Sequence, residues 1–537
     1  MPTDFENKIA PRRIWWPHLL IFALIAAVIM VIYKDLPRAP FFLDDYLHLH
    51  LIQRIKNPFE PFVVDIFMGA FFRPAITLFW KLDYLISGLN ASGYYISNLI
   101  YLMLSAALLY LLVQQLTGHR SVSAISTLFY VINPVTGVGV MWLSNRFDLI
   151  GATLFLASTL FFVLFIRYKR RRDYALSIVL GTTAYFCKEI TITLPAILIL
   201  ATGFMFLYRA PQKFSWRLIR RLLFYSTPFF TLAALYMLWR FALIKSLGGY
   251  EGEVKAQLTL GYFLYVWQSF AEYFWLMKNF VAFGAVVFVI ALLLVKKNFY
   301  ASNKYLFFGL AFGLITTLPL LLIIRYQNVI SFMTPRFFFL PNIGLTIALV
   351  SVYDPRSGRA RRMIAGVLLV LLGLFLALNN FILLHKWVRD KRDLVKHMEQ
   401  VDTLVKAGLP GNPKEALVYS CLHNMDVALD TSIKLMHPEF INRYYFLNCV
   451  GPTQTIAEHK LYDDLRRDLV FPRTFSRNPC QYENLYYGVV DARPDSIPSQ
   501  VSAANNVMVL HLDRFGRMTI LHRDKVLAML KTLGLIQ

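Results

Sequence analysis

Two adjacent carboxylates, Asp44 and Asp45, stand in an aromatic and apolar setting just after the first membrane-length apolar run. Burial and mutual repulsion both favour the neutral form of such carboxyl groups, so either one could take a proton from an attacking hydroxyl. Aspartate is also a favoured N-cap residue, and the pair could simply begin the helix that follows. The stretch therefore has a catalytic interpretation and a capping interpretation.

Four further places carry charge at the edge of predicted membrane segments. They are Arg73 with Asp83, Asn145-Arg146 with Asp148, Lys188-Glu189, and Arg325 with Arg336. Charged groups at membrane depth are costly, so each set is a candidate for function, although each could instead be an ion pair with a neighbouring span. One outward-facing cavity lined by cations and carboxylates would unite all five places.

Composition places these residues in a membrane protein. The chain has 537 residues, of which 57% are hydrophobic and only 16% charged, and apolar runs of about twenty residues recur along it. The net charge of +23 comes from basic residues at the ends of those runs, as the positive-inside rule expects. With no basic domain and no nucleic-acid motif, we expect membrane lipids and no nucleic acid among the partners.

The apolar runs predict about 11 transmembrane helices. They are residues 14–33, 94–117, 121–134, 148–167, 174–187, 191–208, 219–243, 279–295, 305–324, 337–353 and 363–384. With the N-terminus inside, every strongly basic loop falls on one side of the membrane, including 167–172 and 209–221. The Asp44-Asp45 loop and the C-terminal part then face outward, which in a bacterium is the periplasm.

Two domains follow from this pattern. Residues 1–384 form the transmembrane domain, whose outer loop 34–93 should hold helices at 45–55 and 74–86. Residues 385–537 read as a small α+β domain, with strands at 484–490 and 507–512 and a hairpin turn before Met518. An aromatic segment, 258–278, fits a membrane-surface anchor better than a sugar platform. Of Cys421, Cys449 and Cys480, at most one pair can be bridged.

Several short motifs resemble those of GT-C glycosyltransferases when they are taken in order. They are Phe72-Arg73-Pro74 through Asp83, Gly88-Leu89-Asn90 to Asn98-Leu99, Asn133-Pro134 through Asn145-Arg146-Phe147-Asp148, Lys188-Glu189 to Pro195, and Arg336-Phe337 to Gly344. The likeness covers residues 40–345 and is greatest to the membrane half of TPR-containing O-mannosyltransferases. In general plan it extends to lipid A aminoarabinose transferases. The chain departs from these families at Tyr95 and Asn133, where histidine is common, and it has no TPR repeats.

The resemblance implies an inverting glycosyltransferase with a polyprenyl-phosphate sugar as its donor. It implies Asp44 as the base, with Asp45 second. Arg336, Arg325, Lys188 and Arg73 would then bind the donor phosphate, because cations suit an anionic leaving group. Supporting positions would be Glu189, Arg146, Asp148, Asp83 and His48.

A metal is a further possibility at Asp44, Asp45 and His48. Hard cations usually take more oxygen ligands than this stretch supplies, so we expect no metal and no other cofactor.

Two other functions fit a polytopic chain. A transporter of a lipid-linked sugar or polymer should show inverted repeats and charge spread through the midplane, and neither is clear here. An inactive assembly scaffold would keep the fold without the chemistry.

Overall fold

The structure is a computed structural model. It describes residues 16–41, 44–64, 71–209, 216–245, 304–322, 334–353, 358–408, 416–420, 444–448, 507–512 and 518–522. In this part of the chain six helices are long and apolar enough to cross a membrane, or seven if one sharply bent pair is a single span. The protein is thus a mostly helical, multi-pass membrane protein.

The helices follow the predicted spans. They are α1 (Trp16–Ile32), α2 (Asp44–Arg54), α3 (Glu60–Val63), α4 (Pro74–Ser87), α5 (Ala91–Thr117), α6 (Arg120–Ile132), α7 (Pro134–Met141), α8 (Arg146–Tyr168), α9 (Arg171–Tyr185), α10 (Leu194–Arg209), α11 (Trp216–Ile244), α12 (Lys304–Thr317), α13 (Phe339–Val350) and α14 (Arg359–Gly408). Short 3-10 helices cover Leu36–Arg38, Leu143–Asn145, Glu189–Thr193, Leu318–Leu322 and Thr334–Phe338. The predicted span 279–295 and the aromatic segment 258–278 lie outside the described residues. Each of the other predicted spans coincides with a helix.

The two helices predicted in the outer loop are confirmed as α2 and α4. Pro74 occupies the first turn of α4, where its missing N–H costs nothing. Gly88 ends the helix at a φ of 56°, which favours glycine. The side chain of Asn90 then accepts a hydrogen bond from the backbone N–H of Ser92 and caps α5. These local signals fix the loop that carries the first candidate residues.

One predicted span, 121–134, is broken at Asn133-Pro134, where α6 and α7 meet at a bend of 54°. Backbone groups freed inside a membrane need partners from the protein. Here the Tyr33 hydroxyl donates to the carbonyl of Val131 (3.0 Å), and Asn380 Nδ2 donates to the carbonyl of Asn133 (3.4 Å). The first and last spanning helices of the described chain therefore stabilise the break.

Four short strands follow α14 in a sheet of order β2-β1-β3-β4. They are β1 (Ala416–Ser420), β2 (Tyr444–Asn448), β3 (Val507–Leu512) and β4 (Met518–His522). β1 pairs in parallel with β2 and β3, while β3 and β4 are antiparallel. The predicted hairpin turn between β3 and β4 lies outside the described residues. The predicted strand at 484–490 and the three cysteines lie outside the described residues. Because α14 runs unbroken through position 384, the boundary between the two domains stays a prediction.

Glycines allow α12 and α13 to cross with their backbones in contact. A Cβ atom on Gly344 would lie 2.5 Å from the backbone nitrogen of Gly313 and 2.6 Å from the carbonyl oxygen of Gly309. A Cβ atom on Gly309 would meet the backbone of Ala348 and of Gly344. Small residues allow such close helix packing in membranes. The crossing matters for the site because α13 follows directly after Arg336.

We expect Gly344→Ala to lower the stability of the folded protein by about 1–3 kcal/mol, because the two backbones must move apart. The matched control is Gly203→Ala in α10, since a Cβ there has no neighbour within 4 Å. Thermal melting in detergent should show a lower midpoint for Gly344→Ala only. Equal melting midpoints for the two variants would contradict the close backbone contact between α12 and α13.

Candidate active site

Three cations lie in a row, separated by two aromatic rings. The Arg73 guanidinium carbon is 4.2 Å from the Phe147 ring centroid, and the Lys188 ammonium is 4.1 Å from the same centroid. Lys188 is also 5.7 Å from the Phe337 ring centroid, and the Arg336 guanidinium carbon lies 5.0 Å from it. Each ring thus attracts two cations through its π face. We call Arg73, Lys188 and Arg336 the cation row.

Each member of the cation row has a polar partner. Arg73 binds Glu189 through a fork, with Nε to Oε1 at 3.0 Å and Nη2 to Oε2 at 2.9 Å. Lys188 Nζ lies 3.3 Å from Asp148 Oδ2. The pairs are largely removed from water, since Arg73 is 7% exposed, Lys188 3% and Asp148 5%.

The third cation joins the row to the first outer loop. Arg336 Nη1 donates to Asn145 Oδ1 at 3.2 Å. The preceding residue, Ser144, donates to Asp45 Oδ1 from its backbone N–H at 2.8 Å and from its hydroxyl at 2.6 Å. Asp45 is fully buried in α2. Two successive residues of the 3-10 helix Leu143–Asn145 therefore connect the buried carboxylate to the cation row.

Among the described side chains of this cluster, the cations outnumber the carboxylates that contact them. Arg240, from α11, also donates to Glu189 Oε1, at 2.8 Å. The cation row and Arg240 thus face two carboxylates, Asp148 and Glu189, and both Arg73 and Arg336 repel the Lys188 ammonium. Buried charge without a counter-charge is costly. An anionic ligand would offset the excess.

The other predicted residues form a second group beside the row. Arg146 and Asp83 form a buried ion pair, and Arg146 also donates to the Ser97 hydroxyl at 3.0 Å. The Arg146 guanidinium carbon lies 5.1 Å from the Trp80 ring centroid, and His48 stacks on that ring at 4.9 Å between centroids. The sequence grouped Arg73 with Asp83, but the structure pairs Arg73 with Glu189 instead.

Two predicted side chains lie outside the described part of the structure. Asp44 begins α2, but its side chain lies outside the described part of the structure, and Arg325 lies wholly outside it. The described side chains hold no group of three His, Cys, Asp or Glu that could bind a metal. Because Asp44 is not among them, the absence of a metal or other cofactor stays a prediction.

His48 is unsuited to acid–base work near neutral pH. Burial, reinforced by the positive charges of Arg73 and Arg146, lowers the pKa of its imidazole to about 3. The ring is therefore neutral where the protein works. Its stacking on Trp80 makes it a packing partner of α4.

Sequence reasoning missed Arg240 and Ser144. Arg240 had a usable signal, because it is the only charged residue between Arg221 and Lys245 in an apolar stretch. Ser144 had none, since a serine beside Asn145 is unremarkable until the chain folds.

Comparisons with known proteins give similarity in structure only. The chain resembles ArnT from Cupriavidus metallidurans, whose structure holds undecaprenyl phosphate, at 12% identity and a TM-score of 0.48, covering 95% of this chain and 98% of ArnT. It also resembles the Archaeoglobus fulgidus oligosaccharyltransferase in complex with zinc and sulfate (12% identity, TM-score 0.39, covering 76% of this chain and 61% of that one). The same enzyme tethered to an acceptor peptide gives 11% identity and a TM-score of 0.38, with 78% and 63% covered. No family model and no curated protein matches the chain.

The low pKa of His48 predicts a pH dependence of stability. Between pH 6.5 and 3 the unfolded imidazole binds a proton that the folded one does not, so this residue lowers stability as the pH falls. His48→Phe keeps the stacking but removes the titration. Its loss of stability between pH 7 and pH 5 should be smaller than that of the wild type by about 1–2 kcal/mol.

Thermal melting at the two pH values would measure this difference. The wild type, melted in the same buffers, is the reference for this comparison. An identical pH dependence in His48→Phe would contradict a neutral imidazole at this position.

Proposed function

We propose that the protein is an inverting glycosyltransferase. It moves a sugar, a hexose or a pentose, from a polyprenyl-phosphate donor to a cell-envelope acceptor, which is a glycolipid, a polysaccharide or a protein. The observation that carries this proposal is the cation row with its link to Asp45. The motif order seen in the sequence supports it independently.

The cation row suits the leaving group of such a reaction. When the bond between the anomeric carbon and the phosphate oxygen breaks, its electron pair stays on the lipid phosphate, whose negative charge grows. Arg73, Lys188 and Arg336 would stabilise that charge more in the transition state than in the donor, which is the condition for catalysis. No acid is required, because the departing phosphate is already a stable anion.

The acceptor hydroxyl needs a base on the opposite face of the sugar. Asp45 is ill-suited, because it is fully buried and its Oδ1 already accepts two hydrogen bonds from Ser144. We therefore keep Asp44 as the base, with Asp45 orienting the start of α2. The acceptor oxygen bonds to the anomeric carbon, its proton passes to Asp44, and in-line displacement inverts the centre.

The setting of the reaction follows from the topology predicted by the charged loops. The protein would lie in the inner membrane of a bacterial cell, with the site and residues 385–537 on the periplasmic side. The donor would enter from the surrounding lipid, with its phosphate at the cation row.

Arg336→Ala should weaken the use of the donor more than the use of the acceptor. Losing a charged hydrogen bond to phosphate costs about 2–3 kcal/mol, or about 30- to 150-fold in kcat/KM for the donor. Arg336→Lys should recover only part of this, because a point charge replaces the guanidinium fork. Transfer assays with purified protein in nanodiscs would measure both substrates.

The control for this variant is Arg38→Ala, whose side chain is 71% exposed and should leave both substrates unaffected. If Arg336→Ala kept a normal donor KM and kcat, Arg336 would not belong to the site.

Asp44→Asn should lower turnover by about 10²–10⁴-fold, because the amide cannot accept the proton. Asparagine caps a helix as well as aspartate does, so thermal stability should change little. Asp45→Asn should cost less in turnover, and Asp35→Asn, a carboxylate paired with Arg38, should cost nothing. Near-normal turnover in both Asp44→Asn and Asp45→Asn would show that neither residue is the base and would favour the capping interpretation.

A further inference from the structure

One face of α11 contacts the chain next to two members of the cation row. Tyr236 and Arg240 are four residues apart and therefore share a helix face. The Tyr236 hydroxyl donates to the backbone carbonyl of Phe72 at 3.2 Å, directly before Arg73. Arg240 Nη1 donates to Glu189 Oε1 at 2.8 Å, directly after Lys188. The face thus contacts the backbone next to one member of the cation row and the carboxylate next to another.

The Arg73 side chain is fixed on several sides. Its guanidinium lies between the rings of Phe71 and Phe147, with centroids at 4.1 and 4.2 Å. Its Nε and Nη2 edge is occupied by Glu189. Within the described chain no hydrogen bond is made by Nη1, which leaves that nitrogen available to an anion.

A shared carboxylate leaves Arg73 with unneutralised charge. Glu189 carries one negative charge but faces two guanidinium groups, so it cannot fully balance both. Arg240 is 1% exposed and cannot meet a ligand, whereas Arg73 is 7% exposed. Arg240 therefore shares the negative charge of Glu189 from the buried side. Glu189 then neutralises less of the positive charge of Arg73, which can attract a ligand.

We propose that Arg240 and Tyr236 are positioning residues that set the affinity of Arg73 for the donor phosphate. This inference rests on the proposed function. Arg240 acts through Glu189 on the charge and orientation of the guanidinium, and Tyr236 acts through Phe72 on the backbone from which Arg73 extends. The alternative is that these contacts only pack α11 against its neighbours. Packing alone would alter stability and leave phosphate affinity unchanged.

The test measures binding of a polyprenyl monophosphate to the full-length protein in nanodiscs of neutral phospholipid, by native mass spectrometry. Arg240→Met should raise the Kd about 5- to 30-fold, and Tyr236→Phe about 2- to 5-fold. Arg220→Met, an exposed arginine near the other end of α11, should leave the Kd unchanged. Arg240→Lys should give an intermediate Kd, because it keeps the charge but not the fork.

A double-mutant cycle separates the two explanations. In a Glu189→Gln background Arg240→Met should add less than about a twofold change, because no carboxylate remains for Arg240 to share. An Arg240→Met protein that folds and binds as the wild type does would overturn the proposal, as would an undiminished effect in the Glu189→Gln background. If Arg240→Met does not fold, an unchanged Kd in Arg240→Lys and in Tyr236→Phe would overturn it.

A different result would count against the proposed function itself. If the wild type bound the polyprenyl monophosphate no better than the uncharged polyprenol of the same length, the cation row would not be a phosphate site. The positioning proposal would then fall with it.

Discussion

The mutual repulsion of Arg73, Lys188 and Arg336 is the constraint on which the architecture of the site depends. Like charges held away from water raise the free energy of the fold unless carboxylates or a ligand offset them. Asp148 and Glu189 supply part of that compensation, and the rings of Phe147 and Phe337 supply more. Three cations held this close together make the described part of the cluster suited to an anion.

The broken span determines where the cluster forms. α7 leads directly into the 3-10 helix Leu143–Asn145, so the bend at Asn133 sets the position of every contact made by Ser144 and Asn145. Asn342 Nδ2 donates to the Thr136 hydroxyl at 3.2 Å and attaches α7 to α13. Since a bend inside a membrane is stable only when its backbone groups are satisfied, the Asn380 amide of α14, which donates to the Asn133 carbonyl, also supports the site.

The aromatic rings have an electrostatic role as well as a packing role. A ring holds a cation in place without neutralising it, whereas a carboxylate does both. Phe147 and Phe337 can therefore keep neighbouring cations close while leaving their charge available to a ligand. They also exclude water, and a lower local dielectric strengthens the pull of each cation on a phosphate.

The sequence by itself determined the features that depend on local patterns. Apolar runs located the spans, Pro74 and Gly88 bounded α4, and the one-sided basic loops predicted that the candidate residues share one face of the membrane. It also grouped Lys188 with Glu189, because they are adjacent.

Only the tertiary structure decided which charges meet. Arg73 pairs with a carboxylate 116 residues away, and Asp45 with a serine 99 residues away. Helical periodicity reports which face of a segment is apolar, but the choice of partner depends on how helices pack, and that is a property of the whole chain. For the same reason Arg240 read as one more basic residue in an apolar run until folding brought it to Glu189.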